Sequence, residues 1–131
     1  MKQQYRLTVR QFFDASHQLP DTEYLVTKAC ARLHGHTYAV EVDASAEQLR
    51  GGMVVDFKAI KQVIDTLDHR HINEVFTERG YNEVSTAENI AKYIAHECQR
   101  EMPDIVITEV RVCEGYKGRE RASWAIYQPT T

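Results

Sequence analysis

The stretch CARLHGHTYAV, residues 30–40, sets a cysteine four positions before a His-Gly-His and leads straight into an alternating run. On a strand, residues i and i+2 point to the same side. His34, His36, Tyr38, Val40, Val42 and Ala44 therefore share one face, with Thr37, Glu41 and Asp43 on the other. Two imidazoles are aimed at one point in space, and Gly35 between them lets the backbone come close, which is how a chelate is built. The alternation recurs upstream, where Tyr5, Leu7, Val9 and Phe13 are apolar and Arg6, Thr8 and Arg10 polar, and it predicts a second half-buried strand with His17 just past its end. An antiparallel pairing brings His17 alongside the His-x-His. Three neutral imidazoles with no fourth protein ligand is the pattern of a catalytic zinc, which keeps one position open for water or substrate. Taken alone a His-x-His is weakly specific, and surface or hydrogen-bonded histidines also account for it.

Further along, Asp56 is a candidate N-cap for a helix whose apolar positions Phe57, Ile60, Val63, Ile64 and Leu67 follow the 3.6-residue period and which stops near LDHRHIN. STAE, residues 85–88, reads as a capping box with Ser85 as the cap, opening a second helix that turns Ala87, Ile90, Ala91, Ile94 and Cys98 inward. EQLRGG is a turn and MVVDF a short extended piece; IVITEVRVCE and ASWAIYQ are two more alternating runs, separated by GYKGRER. Strands, two helices, then strands predict an α+β fold: an antiparallel four-stranded sheet with two helices on one face.

The bulk properties narrow the function. At 131 residues the chain reads as a single domain, 1–131, large enough for a core. No apolar run approaches the roughly 20 residues that cross a bilayer, and the first residues carry no export signal, so the expected address is cytoplasmic and no membrane partner is expected. Three cysteines, an odd number without a C-x-x-C pair, do not build a disulfide framework. A net charge of −3 with interspersed signs provides no basic stripe, which argues against nucleic acid as a direct ligand.

Other residues suggest chemistry. Cys30 is close in sequence to the candidate metal ligands, and a nearby cation favours a thiolate that can serve as base or nucleophile; Cys98 and Cys113 fit better as small buried fillers. Asp68 and His69 offer a carboxylate and an imidazole for proton handling where the first helix ends. Glu114 shares the parity of Val106, Val110 and Val112, so a carboxylate lies on an apolar face and must be paired. An internal arginine would do it. A ligand with two adjacent N–H donors would do it equally well, since two carboxylate oxygens accept such a fork.

Taken in order, FFDASHQL, CARLHGH, GMVVDF, LDHRHIN, STAEN and VCE closely resemble the 6-pyruvoyl-tetrahydropterin synthase family over most of the chain, and the C-x-x-x-H-G-H spacing resembles its bacterial 6-carboxytetrahydropterin synthases of queuosine biosynthesis. The resemblance implies a tunnelling fold, with subunit sheets joined into a barrel as a trimer and two trimers stacked into a homohexamer. It implies Zn2+ held by His17, His34 and His36, Cys30 as proton acceptor, and Asp68 and His69 as a relay supplied by a neighbouring subunit. Glu114 would anchor the pterin ring, with Ser85 and Thr86 beside it. The implied substrate is 7,8-dihydroneopterin triphosphate, and the implied enzyme a lyase releasing acetaldehyde and triphosphate and leaving 6-carboxy-5,6,7,8-tetrahydropterin. The segment after Glu114 has no confident counterpart in the family, leaving Lys117, Arg119 and Arg121 as candidate triphosphate contacts. Rival expectations are 6-pyruvoyl-tetrahydropterin synthase activity, a zinc hydrolase, and a non-catalytic zinc-containing pterin-binding module; turnover of dihydroneopterin triphosphate separates a synthase from the last two, and identification of the product separates the two synthases.

Overall fold

The computed structural model describes residues 2–130. The chain opens with two long antiparallel strands, β1 (Tyr5–His17) and β2 (His34–Ala46), in continuous register from Tyr5 opposite Ala46 to His17 opposite His34. Helix α1 (Phe57–Asp65) follows, capped by Asp56, whose carboxylate accepts the Lys58 N–H at 2.9 Å. A two-residue strand β3 (Arg70–His71) leads directly into α2 (Ile72–Glu78) and then α3 (Ala87–Glu101). Strands β4 (Val106–Glu114) and β5 (Trp124–Tyr127) complete the chain, and the sheet order is β3-β1-β2-β4-β5.

Two expectations are corrected. Among the described residues the sheet has five strands, and β3 runs parallel to β1, so the sheet is mixed and not purely antiparallel. There are three helices where the periodicity predicts two. At the start of MVVDF a single bridge from Arg50 to Met53 closes the expected turn, in which Gly51 and Gly52 both take positive φ, 58° and 79°, a backbone open to glycine at little cost.

One layer of apolar side chains joins sheet and helices. Val9, Phe13, Tyr38, Val40, Val42, Val110 and Val112 from the sheet pack against Ile60, Ile64, Ile72, Ile90, Ile94 and Cys98 from the helices, all within one buried cluster. Each fully buried side chain of this size contributes about 1.5–3 kcal/mol of transfer free energy. Phe57 departs from the predicted helical face and is 56% exposed, while Leu67, one residue beyond the α1 C-cap, is fully buried. The opposite sheet face is a charged ladder. Arg111 bridges Glu41 and Asp43, each at 2.8 Å, and Arg10 reaches Glu41 at 3.3 Å. The inward parity of β1 runs through Val9, Phe13 and Ala15 to His17, which is part of the strand and fully buried at its end.

Candidate metal centre

Strand register assembles the site. Pairing of β1 with β2 sets His17 across from His34 and Ala15 across from His36, and pairing of β2 with β4 sets Glu114 across from Tyr38. All of these except Ala15 project a polar or aromatic group into the same end of the sheet. The His17 and His34 ring centroids lie 4.5 Å apart, those of His34 and His36 4.8 Å, and those of His17 and His36 5.4 Å. One ligand atom from each of His17, His34, His36 and Glu114 falls in a group whose members are all within 4.8 Å of one another.

The ring protons are assigned by what surrounds them. A carbonyl only accepts, so His17 Nδ1–H donates to the Ser85 carbonyl at 2.7 Å and His34 Nδ1–H donates to the Arg32 carbonyl at 2.6 Å. In both neutral rings the Nε2 lone pair is then left facing the other, 2.9 Å away. Two lone pairs at that separation repel unless a cation lies between them. His36 Nε2 comes within 3.0 Å of Glu114 Oε1, but outside the direction of a ring N–H, and among the described residues it has no hydrogen-bond partner. Backbone carbonyls on the outer ring nitrogens and converging bare inner nitrogens are the arrangement found around bound metal ions. Nitrogen and carboxylate donors of this kind suit zinc or a similar divalent cation. These residues fit a metal.

Electrostatics keeps the ligands in the binding form. Burial lowers the pKa of His17 below the ordinary histidine value, against the opposing pull of the Ser85 carbonyl and the Glu114 carboxylate. Burial likewise lowers that of His36, again opposed by Glu114. Neutral imidazole is the ligand form, so both shifts favour metal over proton. Tyr38 lies among these rings, stacked on Phe13 at 4.8 Å, and burial with the Glu114 charge pushes its hydroxyl pKa strongly upward.

The remaining sequence candidates fall around this centre. Cys30 lies in a short 3-10 turn, Lys28–Ala31, part-buried, with its carbonyl accepting the Leu19 N–H at 3.1 Å, which ties its backbone to the segment just after His17; its thiol is not in the four-residue donor group. Asp68 and His69 form a separate group with Asp14. The Asp14 backbone holds both: its N–H donates to Asp68 Oδ1 at 3.0 Å, and its carbonyl accepts the His69 N–H at 2.7 Å. His69 takes φ 56°, uncommon for a non-glycine residue, and its side chain is 74% exposed, with Nε2 3.9 Å from Asp68 Oδ2. An open hollow of about 570 Å3 connects the two groups, since His36 and His69 both line it together with Asp14, Ser16, Thr37 and His71.

Ser85 is not the helix cap. Thr86 is, its hydroxyl accepting the Asn89 N–H at 3.3 Å, while the Ser85 hydroxyl donates to Asn73 Oδ1 at 3.0 Å. Asn73, which sequence reasoning passed over, proves central. Its amide donates to the Gln18 carbonyl at 2.9 Å and accepts the Gln18 N–H at 3.1 Å, so one side chain binds the residue after His17 to the residue whose carbonyl orients His17. Glu114 is met by histidines and not by the internal arginine considered above.

A chain from Pyrococcus furiosus called dihydroneopterin monophosphate aldolase is 31% identical over 124 residues, 91% of this chain and 97% of that one. A putative 6-carboxy-5,6,7,8-tetrahydropterin synthase of Pyrococcus abyssi is 46% identical over 72 residues, 53% of this chain and 44% of that longer one. The structure of Caenorhabditis elegans 6-pyruvoyl tetrahydropterin synthase matches with a TM-score of 0.67 at 25% identity, covering 98% of this chain and 97% of that one. The family model for 6-pyruvoyl tetrahydropterin synthase matches residues 6–129, which takes in both histidine-bearing strands, all three helices and Glu114, and the chain belongs to that family.

Proposed function

We propose that this protein converts 7,8-dihydroneopterin triphosphate and water to 6-carboxy-5,6,7,8-tetrahydropterin, acetaldehyde and triphosphate. The observation that carries this is the convergence of His17, His34 and His36 on one point, with the outer nitrogens of His17 and His34 held by carbonyls and the Cys30 backbone tied to Leu19, two residues past His17. Zinc bound by the three imidazoles supplies a Lewis acid that polarises the hydroxyls of the substrate side chain. Cys30 accepts the proton that leaves the adjacent carbon, the step shared by the carboxy- and pyruvoyl-forming reactions. His69, oriented by Asp68, returns protons as the side chain rearranges and the triphosphate departs. Because His69 is exposed, it is suited to serve a neighbouring subunit's site in a homohexamer of two trimers, where the free edges at β3 and β5 would be covered by partner sheets. Glu114 accepts the 2-amino and N3–H donors of the pterin. Ser85 and Thr86 flank the ring; with their hydroxyls committed to Asn73 and to the α3 N-terminus, they act through wall shape and backbone groups.

The full-length similarity to a dihydroneopterin monophosphate aldolase favours one alternative, a retro-aldol cleavage of the same side chain. Such a reaction begins with proton transfer at a hydroxyl and releases a 6-hydroxymethyl pterin and a two-carbon aldehyde bearing the phosphate. Mass spectrometry of the products from dihydroneopterin triphosphate decides between them. Our reading expects the 6-carboxy pterin with acetaldehyde; a 6-hydroxymethyl pterin supports the aldolase, and a 6-pyruvoyl product the other synthase.

A further inference from the structure

We infer that Glu114 is a fourth metal ligand in the resting protein, and that it leaves the metal when a pterin ring arrives; the inference rests on the pterin reading above. In the ligand-free chain Glu114 Oε1 is 3.0 Å from His36 Nε2 and 3.9 Å from His17 Nε2, inside the same donor group as the three imidazoles. Among the described residues no lysine or arginine pairs with Glu114. Its neighbours are the imidazoles of His36 and His17; the His17 ring proton points outward to the Ser85 carbonyl, and His36 Nε2, the nearest atom, has no hydrogen-bond partner among the described residues, so neither ring balances the carboxylate with a pointed N–H. A divalent cation at the point where the four groups meet balances the carboxylate, separates the facing His17 and His34 nitrogens, and gives His36 Nε2 the partner it lacks.

Three nitrogens and one oxygen complete a tetrahedral set, which is a closed site, whereas catalysis needs an open position. Glu114 is built to provide both states. It is the last residue of β4, its side chain is 31% exposed, and it is followed by Gly115 at φ 67°, where the strand ends. A pterin presents two adjacent N–H donors to a carboxylate, and the paired charge-assisted hydrogen bonds compete directly with a single metal–oxygen bond. Ring binding would thus draw Glu114 away and free the position for the side-chain hydroxyls. The metal would be shielded until the correct ring is in place.

The test uses protein stripped of metal and titrated with Co2+, whose visible spectrum reports its ligands, together with 6-methylpterin, a ring without hydroxyls to offer the metal. The expected results are a Co2+ spectrum that differs between wild type and Glu114→Gln, Co2+ affinity roughly 10- to 100-fold weaker in the variant, and a 6-methylpterin-induced shift in wild type that is absent in Glu114→Gln. Glu114→Ala should behave as Glu114→Gln does. Equal spectra and affinities in wild type and variants overturn the fourth ligand and leave the three-histidine site standing. A difference between variants with no response to 6-methylpterin overturns the release. Failure of wild type to bind Co2+ overturns the metal reading itself.

Discussion

At His17 one imidazole meets two demands, a donor on Nδ1 toward Ser85 and a bare Nε2 toward the cluster, and both require the neutral ring. Burial lowers its pKa and that of His36 relative to the unfolded chain, where the value is about 6.5. As pH falls below that value the unfolded chain takes up protons that the folded chain refuses, so stability is present above about 6.5 and is lost on acidification. Metal-free protein should lose up to about 1.4 kcal/mol per pH unit for each of these two histidines as pH falls below 6.5. Urea denaturation at pH 7, 6 and 5.5 measures it, and a flat profile would mean that both rings protonate freely in the fold. The cysteines separate on the same physics. Burial pushes the Cys98 thiol up to about 12, so it stays protonated. Cys30→Ala should lower turnover by roughly 100- to 10,000-fold while metal content and fold persist. Cys98→Ala should keep its activity, and equal losses in the two variants would remove Cys30 from the reaction.

Between elements, α3 and its N-terminal residues place the carbonyl that orients His17. Thr86→Ala should cost about 1 kcal/mol of stability by removing the cap, whereas Ser85→Ala loses one hydrogen bond to Asn73 but keeps the carbonyl on His17. Thermal denaturation of the two variants checks this, and helix fraying in Ser85→Ala alone would restore Ser85 as the cap. The expected capping box was displaced by a single residue because Ser85 and Thr86 are adjacent hydroxyls and STAE satisfies the pattern as well as the actual Thr86–Asn89 pair does. What the sequence conveyed well was period 2 over many residues: β1 and β2 follow their alternation, and the parity of His17, His34, His36 and Glu114 carried directly into space; in β4 a bulge opposite Asp43 and Ala44 breaks the period, so Ile107 is buried and Val106, expected on the face of Glu114, is 43% exposed. Two residues of β3 are too few for any period, and its parallel pairing with β1 joins residues 55 positions apart, which no local pattern encodes. The seven-residue α2 hides its Ile72, Val75 and Phe76 stripe in less than two full turns. Asn73 was illegible for a related reason, since its partners Gln18 and Ser85 come from distant segments.

For the whole molecule, the helices cover one sheet face and meet the metal centre at the end of that layer, while the other face carries the ladder of Arg10, Glu41, Asp43 and Arg111. Across this arrangement one open hollow is lined by both His36 of the candidate metal centre and His69. Everything proposed for the chemistry depends on a metal at the meeting point of three imidazoles. Elemental analysis of purified wild type beside His34→Ala and His36→Ala tests that most directly. The account predicts about one zinc per wild-type chain and loss of stoichiometric metal in each variant; full metal content in both variants would contradict it.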